Sequence, residues 1–201
     1  WRISYDVRDM WKDIVKQGGM GILDIIDITE PLYSFAGPGH WNDMDMLVVG
    51  LEGKGGPSSD LGGIGCTYTE YQTQMSMWCM FASPLAMSHD ILHENAETRR
   101  ILLNKEIIAI NQDALGEVAH RVDVPGKCRV YLRQLSGNRQ ALAIMNPSDT
   151  PQRIQLPLSI LGNTKEYNFR DVWEHKTTRQ HKTWQGTLQP HETKVFTVTT
   201  R

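Results

Sequence analysis

The sequence predicts two unlike parts: a parallel α/β portion over residues 1–116 and an antiparallel all-β portion over 117–201. Three observations predict them. Helix and strand patterns alternate through the first part, the order expected of parallel strands joined by helices. Short strand-like runs separated by turns fill the second part. The composition shifts at the same place: eight of the nine methionines lie between Met10 and Met87, and only Met145 lies beyond. The boundary falls just after Leu115-Gly116.

Residues 6–17 read as a helix, because Val7, Met10, Trp11, Ile14 and Val15 recur on one face and Gly18-Gly19 ends the stretch. Met44 to Val49 is a compact apolar run, the form of a buried parallel strand. A glycine-rich loop follows from Gly50 to Gly65; it has no G-K-[ST], so it is not a phosphate cradle. Thr67-x-x-Glu70 is a capping box that opens a second helix, on which Tyr68, Tyr71, Met75, Trp78 and Cys79 share a face. Pro84 to Ser88 is another short buried run, and Asn95 caps a third helix through Leu103. Ile110 to Asp113 reads as a helix end.

In the second part, Arg129–Leu135 and Gln140–Asn146 flank Ser136-Gly137-Asn138-Arg139, a hairpin signal with turn residues at its tip. Lys194–Thr199 alternates, with Val195, Thr197 and Thr199 on one face and Phe196 and Val198 on the other. Pro147, Pro151, Pro157 and Pro190 sit between strands. Together these describe an antiparallel sheet or small sandwich of roughly 80 residues.

Composition narrows the function. The 201 residues carry 21 Lys+Arg against 23 Asp+Glu, with 40% hydrophobic residues, which excludes disorder as the main character. No basic excess is available to displace counterions from phosphates, so a nucleic-acid partner is disfavoured. Residues 71–89 lack charged side chains, but Gln72, Thr73, Gln74, Ser76, Ser83 and Pro84 interrupt them; a membrane span needs about 20 predominantly apolar residues. No signal peptide is read, and the opening at Trp1 rather than Met suggests a processed product or a piece of a longer chain. Cys66, Cys79 and Cys128 read as reduced structural cysteines, with a Cys66–Cys128 bridge left open. His89 and His93 have zinc-like i, i+4 spacing but no accompanying Glu or third ligand, so no metal is expected.

Two clusters carry chemistry. Arg2 stands four residues before Asp6, a spacing that pairs them on one helical turn. In Ala36-Gly37-Pro38-Gly39-His40-Trp41-Asn42-Asp43-Met44-Asp45-Met46-Leu47, small and rigid residues turn the chain tightly. Trp41, Asn42, Asp43 and Asp45 then crowd against the start of a buried strand, where carboxylates need partners. Aromatic, carboxylate and amide groups together also hold sugars. Asp45 leans toward a site role, whereas Asp43 stands evenly between an internal hydrogen-bonding or turn residue and a site residue. Tyr131, Trp173 and Trp184 read as packing aromatics rather than sugar platforms.

The blocks Trp1-Arg2-x-x-x-Asp6, Ala36 to Leu47, Ser83-Pro84-Leu85-x-Met87-Ser88 and Ala109-Ile110-Asn111-Gln112-Asp113-x-Leu115-Gly116 occur in this order. Together they resemble the α-galactosidases (melibiases) of glycoside hydrolase family 27, with Met44 where that family usually has proline. The resemblance implies the C-terminal part of a (β/α)8 TIM barrel over 1–116, followed by an antiparallel β-sandwich over 117–201. It implies Asp6 as general acid/base, Arg2 as a sugar contact, and Asp45 and Met46 as pocket residues; Trp41 joins them as a substrate-binding candidate. It implies retaining hydrolysis of terminal α-linked galactose, which needs two carboxylates about 5 Å apart. It implies no metal or organic cofactor.

The family's nucleophile lies in a Lys-Tyr-Asp-like block upstream; here the sole Tyr-Asp is Tyr5-Asp6. The chain therefore reads as a C-terminal portion with the last two barrel strands, about 44–49 and 84–88, inactive without the N-terminal barrel half. Unpaired strand edges lead to the expectation that residues 1–201 alone are unstable or associate, homo-oligomers included. Other readings are an α-N-acetylgalactosaminidase or β-L-arabinopyranosidase of the same family, or a non-catalytic carbohydrate-binding module.

Overall fold

Three short stretches of backbone run parallel, side by side, in the computed structural model, which describes residues 1–16, 18–162 and 166–200. Arg2 bridges to Asp43, and Leu47 bridges to Met87. The bonds are Ile3 N–H to the Asp43 carbonyl (3.1 Å), Asp43 N–H to the Trp1 carbonyl (2.8 Å) and Leu47 N–H to the Ala86 carbonyl (2.7 Å). The expected strands are thus present as single parallel bridges, and residues 1–3 add a third segment. Met44, Leu47, Val48 and Val49 are buried, as a strand between two layers requires. The 84–88 run is not buried as expected: Met87 is 57% exposed. Among the described residues, the backbone bonds of this run go to the Leu47 side alone.

Residues 6–17 do not form the expected helix; Gln17 itself lies outside the described residues. Val7 and Ile14 both bridge to Met20, and Asp13 has φ +106, which no right-handed helix tolerates. The apolar spacing misled because Ile14 is exposed, so the pattern did not mark one buried face. The helix in this region is α1 (Ile22–Thr29), which buries Ile22, Leu23, Ile25 and Ile26. Gly21 precedes it because the chain crosses itself there: a Cβ would lie 2.6 Å from Lys12 Cα.

Helix α2 (Tyr68–Met80) begins at the expected capping box. Thr67 Oγ1 accepts the Glu70 N–H, and the Glu70 carboxylate accepts the Thr67 N–H. The helix is buried on nearly all sides, Thr73, Gln74 and Ser76 included. Those polar groups are satisfied: Thr73 donates to the His191 carbonyl, Gln74 accepts from Val48 N–H and donates to the Met46 carbonyl, and Ser76 donates to the Gln72 carbonyl. Helix α3 (Ala96–Leu102) is capped by Asn95 as expected, and α4 (Lys105–Asn111) by Asn104.

Among the described residues, eight antiparallel strands make the second part: β1 (His120–Val122), β2 (Arg129–Leu135), β3 (Arg139–Met145), β4 (Gln152–Pro157), β5 (Tyr167–Asp171), β6 (Lys176–Gln180), β7 (Thr183–Leu188) and β8 (Thr193–Thr200). One sheet has the order β1-β2-β3-β8-β5-β6, and β4 pairs with β7 in a second. The β2–β3 hairpin forms where expected, with consecutive left-handed residues Gly137 (φ +69) and Asn138 (φ +55) at its tip.

The six-stranded sheet separates two cores. Tyr131, Leu135, Ala141, Ala143, Met145 and Val195 pack with α1, α2 and α4. Val130, Leu132, Leu142, Ile144, Phe196 and Val198 pack with Leu156 and Trp184 of the second sheet. Arg133 is 1% exposed and donates to the Cys79 carbonyl at the end of α2 and the Asn111 carbonyl at the end of α4. It thereby satisfies acceptors that helix C-termini leave open. Burial pulls its guanidinium down to about 10.

The three cysteines are buried free thiols. His89 pairs with Glu94 and His93 with Asp90. Among the described residues, no helix is long and apolar enough to cross a membrane.

Candidate active site

Parallel segments put the residues that follow them at one end of the molecule. Asp6 follows the first segment, Asp45 lies toward the carboxyl end of the second, and residues 89–95 follow the third. Ligand sites in parallel barrels lie at this end.

Arg2 ties the group together. Its Nη2 donates to Asp6 Oδ1 at 3.0 Å, to Asp45 Oδ2 at 2.5 Å and to the Tyr5 carbonyl at 3.0 Å. Asp45 Oδ2 also accepts the Val7 N–H at 2.7 Å. The Asp45 side chain is only 9% exposed, so its charge is both buried and paired. Asp6 is the opposite case: its side chain is 88% exposed. Among the described residues its Oδ2 takes no hydrogen bond, which leaves one oxygen open to an incoming group. Met46 stands beside Asp45 with its side chain partly exposed.

Trp41 is not brought to this group. Four residues of extended chain, about 13 Å, separate it from Asp45. Its ring lies against Gly116, where a Cβ would stand 3.3 Å from Cη2. It lines a cavity of about 450 Å³ with Pro38, Ser83, Pro84, Asn111 and Asp113, at the amino end of the parallel segments. Membership of a sequence block did not specify which end of the strand the residue occupies.

Sequence reasoning left an internal hydrogen-bonding role open for Asp43 and did not find the other supports. Asp43 Oδ1 accepts the Asp45 N–H at 2.9 Å, and Trp78 Nε1 donates to the Asp45 carbonyl at 2.7 Å. Asp9 is fully buried and accepts four hydrogen bonds: from Gly53 N–H, Ser58 Oγ, Cys66 N–H and Tyr71 OH, all at 2.9–3.0 Å. Burial first, and then the Asp9 charge, push both the Tyr71 hydroxyl and the Cys66 thiol well above their usual range. Asp9 followed the Asp6 block directly, but its donors come from 44 to 62 residues away, beyond any local pattern.

A larger cavity of about 590 Å³ opens between the loops after Val49 and Ser88, lined by Glu52, Lys54, His89, Asp90 and Asn95 among others. Asp6, Arg2 and Asp45 do not line it. Tyr131, Trp173 and Trp184 are all buried, and Trp173 Nε1 is spent on Ser76 Oγ. None is free to stack on a sugar, which removes the support they would have given to a carbohydrate-binding module.

The family model for alpha galactosidase A matches residues 1–113, and that for the alpha galactosidase C-terminal beta sandwich domain matches 125–198. The chain belongs to the α-galactosidase family, as a C-terminal portion. Alpha-galactosidase 3 of Arabidopsis thaliana is 31% identical over 99% of this chain and 43% of its own length. Alpha-N-acetylgalactosaminidase of Gallus gallus is 34% identical over 91% of this chain and 42% of its own. The crystal structure of a candidate α-galactosidase/melibiase from Bacteroides fragilis NCTC 9343 superimposes with a TM-score of 0.88 at 38% identity, covering 99% of this chain and 42% of that one. The chain therefore spans under half the length of these α-galactosidase relatives. Its fold is the expected part of a TIM-barrel enzyme with the antiparallel sandwich behind it.

Proposed function

We propose that the protein containing this chain is a retaining glycosidase that removes terminal α-linked galactose, with Asp6 as its general acid/base. The observation that carries this reading is the contrast within one cluster. Arg2 links a buried Asp45, held through Oδ2 by Arg2 and the Val7 N–H, to an exposed Asp6 that is held by Arg2 alone. A proton donor must reach its substrate; a binding carboxylate must stay where it is held.

The chemistry runs in two steps. A second carboxylate, from the segment upstream of Trp1, attacks the anomeric carbon while protonated Asp6 gives its proton to the departing oxygen. Water then attacks the anomeric carbon from the face the leaving group vacated, breaking its bond to the second carboxylate, while Asp6 takes a proton from that water. Arg2 holds the Asp6 carboxyl through Oδ1, leaving Oδ2 to carry the proton. Asp45, already bonded to Arg2 and Val7, suits binding of sugar hydroxyls better than nucleophilic attack. Met46 adds an apolar surface beside it.

The test uses the full-length protein. Asp6→Asn is expected to lower kcat on melibiose by about 10²–10⁴-fold, the usual worth of general acid–base catalysis. Activated aryl galactosides need less acid help, and azide needs no base; azide is therefore expected to restore turnover on them and give α-galactosyl azide. Unchanged kcat on melibiose would remove Asp6 from the mechanism. The chicken relative favours one further reading, an α-N-acetylgalactosaminidase. Comparing kcat/KM on α-galactoside, N-acetyl-α-galactosaminide and β-L-arabinopyranoside decides among the family's activities.

A further inference from the structure

Asp45 breaks a backbone rule: its φ is +74, in the left-handed region that residues bearing a Cβ avoid. Strain of this kind persists only where neighbouring groups hold it. Both backbone polar groups of Asp45 are held. Its N–H donates to Asp43 Oδ1 at 2.9 Å, and its carbonyl accepts the indole N–H of the fully buried Trp78 at 2.7 Å. Asp43 is itself fixed on both sides, since its N–H bonds the Trp1 carbonyl and its carbonyl takes the Ile3 N–H. The Asp43 carboxylate thus clamps the Asp45 backbone to the segment that carries Arg2.

The clamp has a consequence for the site. A left-handed residue turns its side chain out of the two-residue alternation of an extended chain. In this orientation Asp45 Oδ2 meets both Arg2 and the Val7 N–H, and Arg2 in turn reaches Asp6. We propose that Asp43 is a positioning residue: its side-chain bond to the Asp45 N–H holds Asp45 left-handed and thereby sets the Arg2–Asp45 pair from which the sugar-binding geometry is built. Asp43 acts through Asp45 and makes no contact with substrate. The kinetic part of this inference rests on the glycosidase reading; the conformational part does not.

The experiment is a mutant cycle in the full-length protein. Asp43→Ala removes the acceptor and is expected to lower kcat/KM on an α-galactoside about 10–100-fold, chiefly through KM, the scale of a small misplacement of binding groups. Asp43→Asn keeps an oxygen acceptor at the same place and is expected to restore most of that loss. Because Asp43 works through Asp45, adding Asp43→Ala to Asp45→Ala should cost little more than Asp45→Ala alone. A crystal structure of the Asp43→Ala protein should show Asp45 out of the left-handed region and its bond to Arg2 broken. Effects that multiply independently, or an Asp45 that stays left-handed without Asp43, would overturn the proposal. Absence of wild-type activity on every family glycoside would sink the glycosidase reading instead, with the structure of the variant still deciding the role of Asp43.

Discussion

Replacing Asp9 with alanine should be among the most damaging single changes outside the reacting groups. The carboxylate is fully buried and receives two backbone N–H groups and two hydroxyls. The hydroxyls of Ser58 and Tyr71 can rotate toward other acceptors once it is gone. The N–H groups of Gly53 and Cys66 cannot. Each donor left unsatisfied in the interior costs about 1–3 kcal/mol, so the two together cost about 2–6 kcal/mol, partly offset by no longer burying a charge. Against a total stability of about 5–15 kcal/mol, that is a large fraction. Urea unfolding of the full-length protein, followed by tryptophan fluorescence with Trp11 and Trp78 as buried reporters, measures it. Asp9→Asn should fall between wild type and alanine, because its amide brings a donor to a site that already has four. A loss below about 1 kcal/mol for Asp9→Ala would refute the claim that this carboxylate pins the 50–65 loop and α2 to the segment carrying Asp6.

Two further outcomes concern the junction between the parts. Arg133→Met leaves the Asn111 carbonyl without its Arg133 donor and the Cys79 carbonyl with only its turn N–H bonds, while relieving the burial of a cation, for an expected net loss of about 1–3 kcal/mol; Arg133→Lys should not rescue it, since one ammonium lacks the forked reach, and a melting temperature unchanged in both variants would count against the bridge. Burial pushes Asp113 upward, but bonds from Ser136 N–H and Oγ and Leu115 N–H, together with the Arg139 charge, overcome this and hold it below 3.8. A carboxylate with a lowered folded value stabilises fully above its unfolded value and loses that contribution as pH falls through the folded one. The stability advantage of wild type over Asp113→Ala should therefore be complete at neutral pH and shrink below about pH 4; urea midpoints from pH 7 to pH 3 check this, and an advantage that grows with acid would contradict it.

Short-range signals were legible in the sequence. The Thr67–Glu70 box, the Asn95 cap and the Gly137-Asn138 tip each satisfy backbone groups within a few residues, so spacing suffices to find them. The alternation of β8 was legible too, because its two faces meet two different cores. The false helix over 6–16 shows the limit. Its apolar spacing is real, but partners 38 to 57 residues away decide its conformation through Asp9 and Asp45. Helix α1 was missed for the converse reason: Gly21 offers no capping side chain, and eight residues give a short pattern. The site residues Arg2, Asp6, Asp45 and Met46 came from block resemblance, which identifies residues but does not locate them; Trp41 shows the difference.

Burial separates the acids at this end of the molecule by task. Loops leaving the carboxyl ends of parallel strands have backbone N–H groups with no ladder partner, and each needs an acceptor. Asp9, Asp43 and Asp45 meet that need, receiving N–H groups from Gly53 and Cys66, from Asp45, and from Val7 respectively. A carboxylate engaged in this way is fixed in place by the backbone that it serves. Asp6 accepts no backbone N–H among the described residues, pairs through one oxygen alone and stands in solvent. The backbone demand that fixes three of these acids makes no claim on the fourth, and that freedom is what the proposed acid/base role of Asp6 requires.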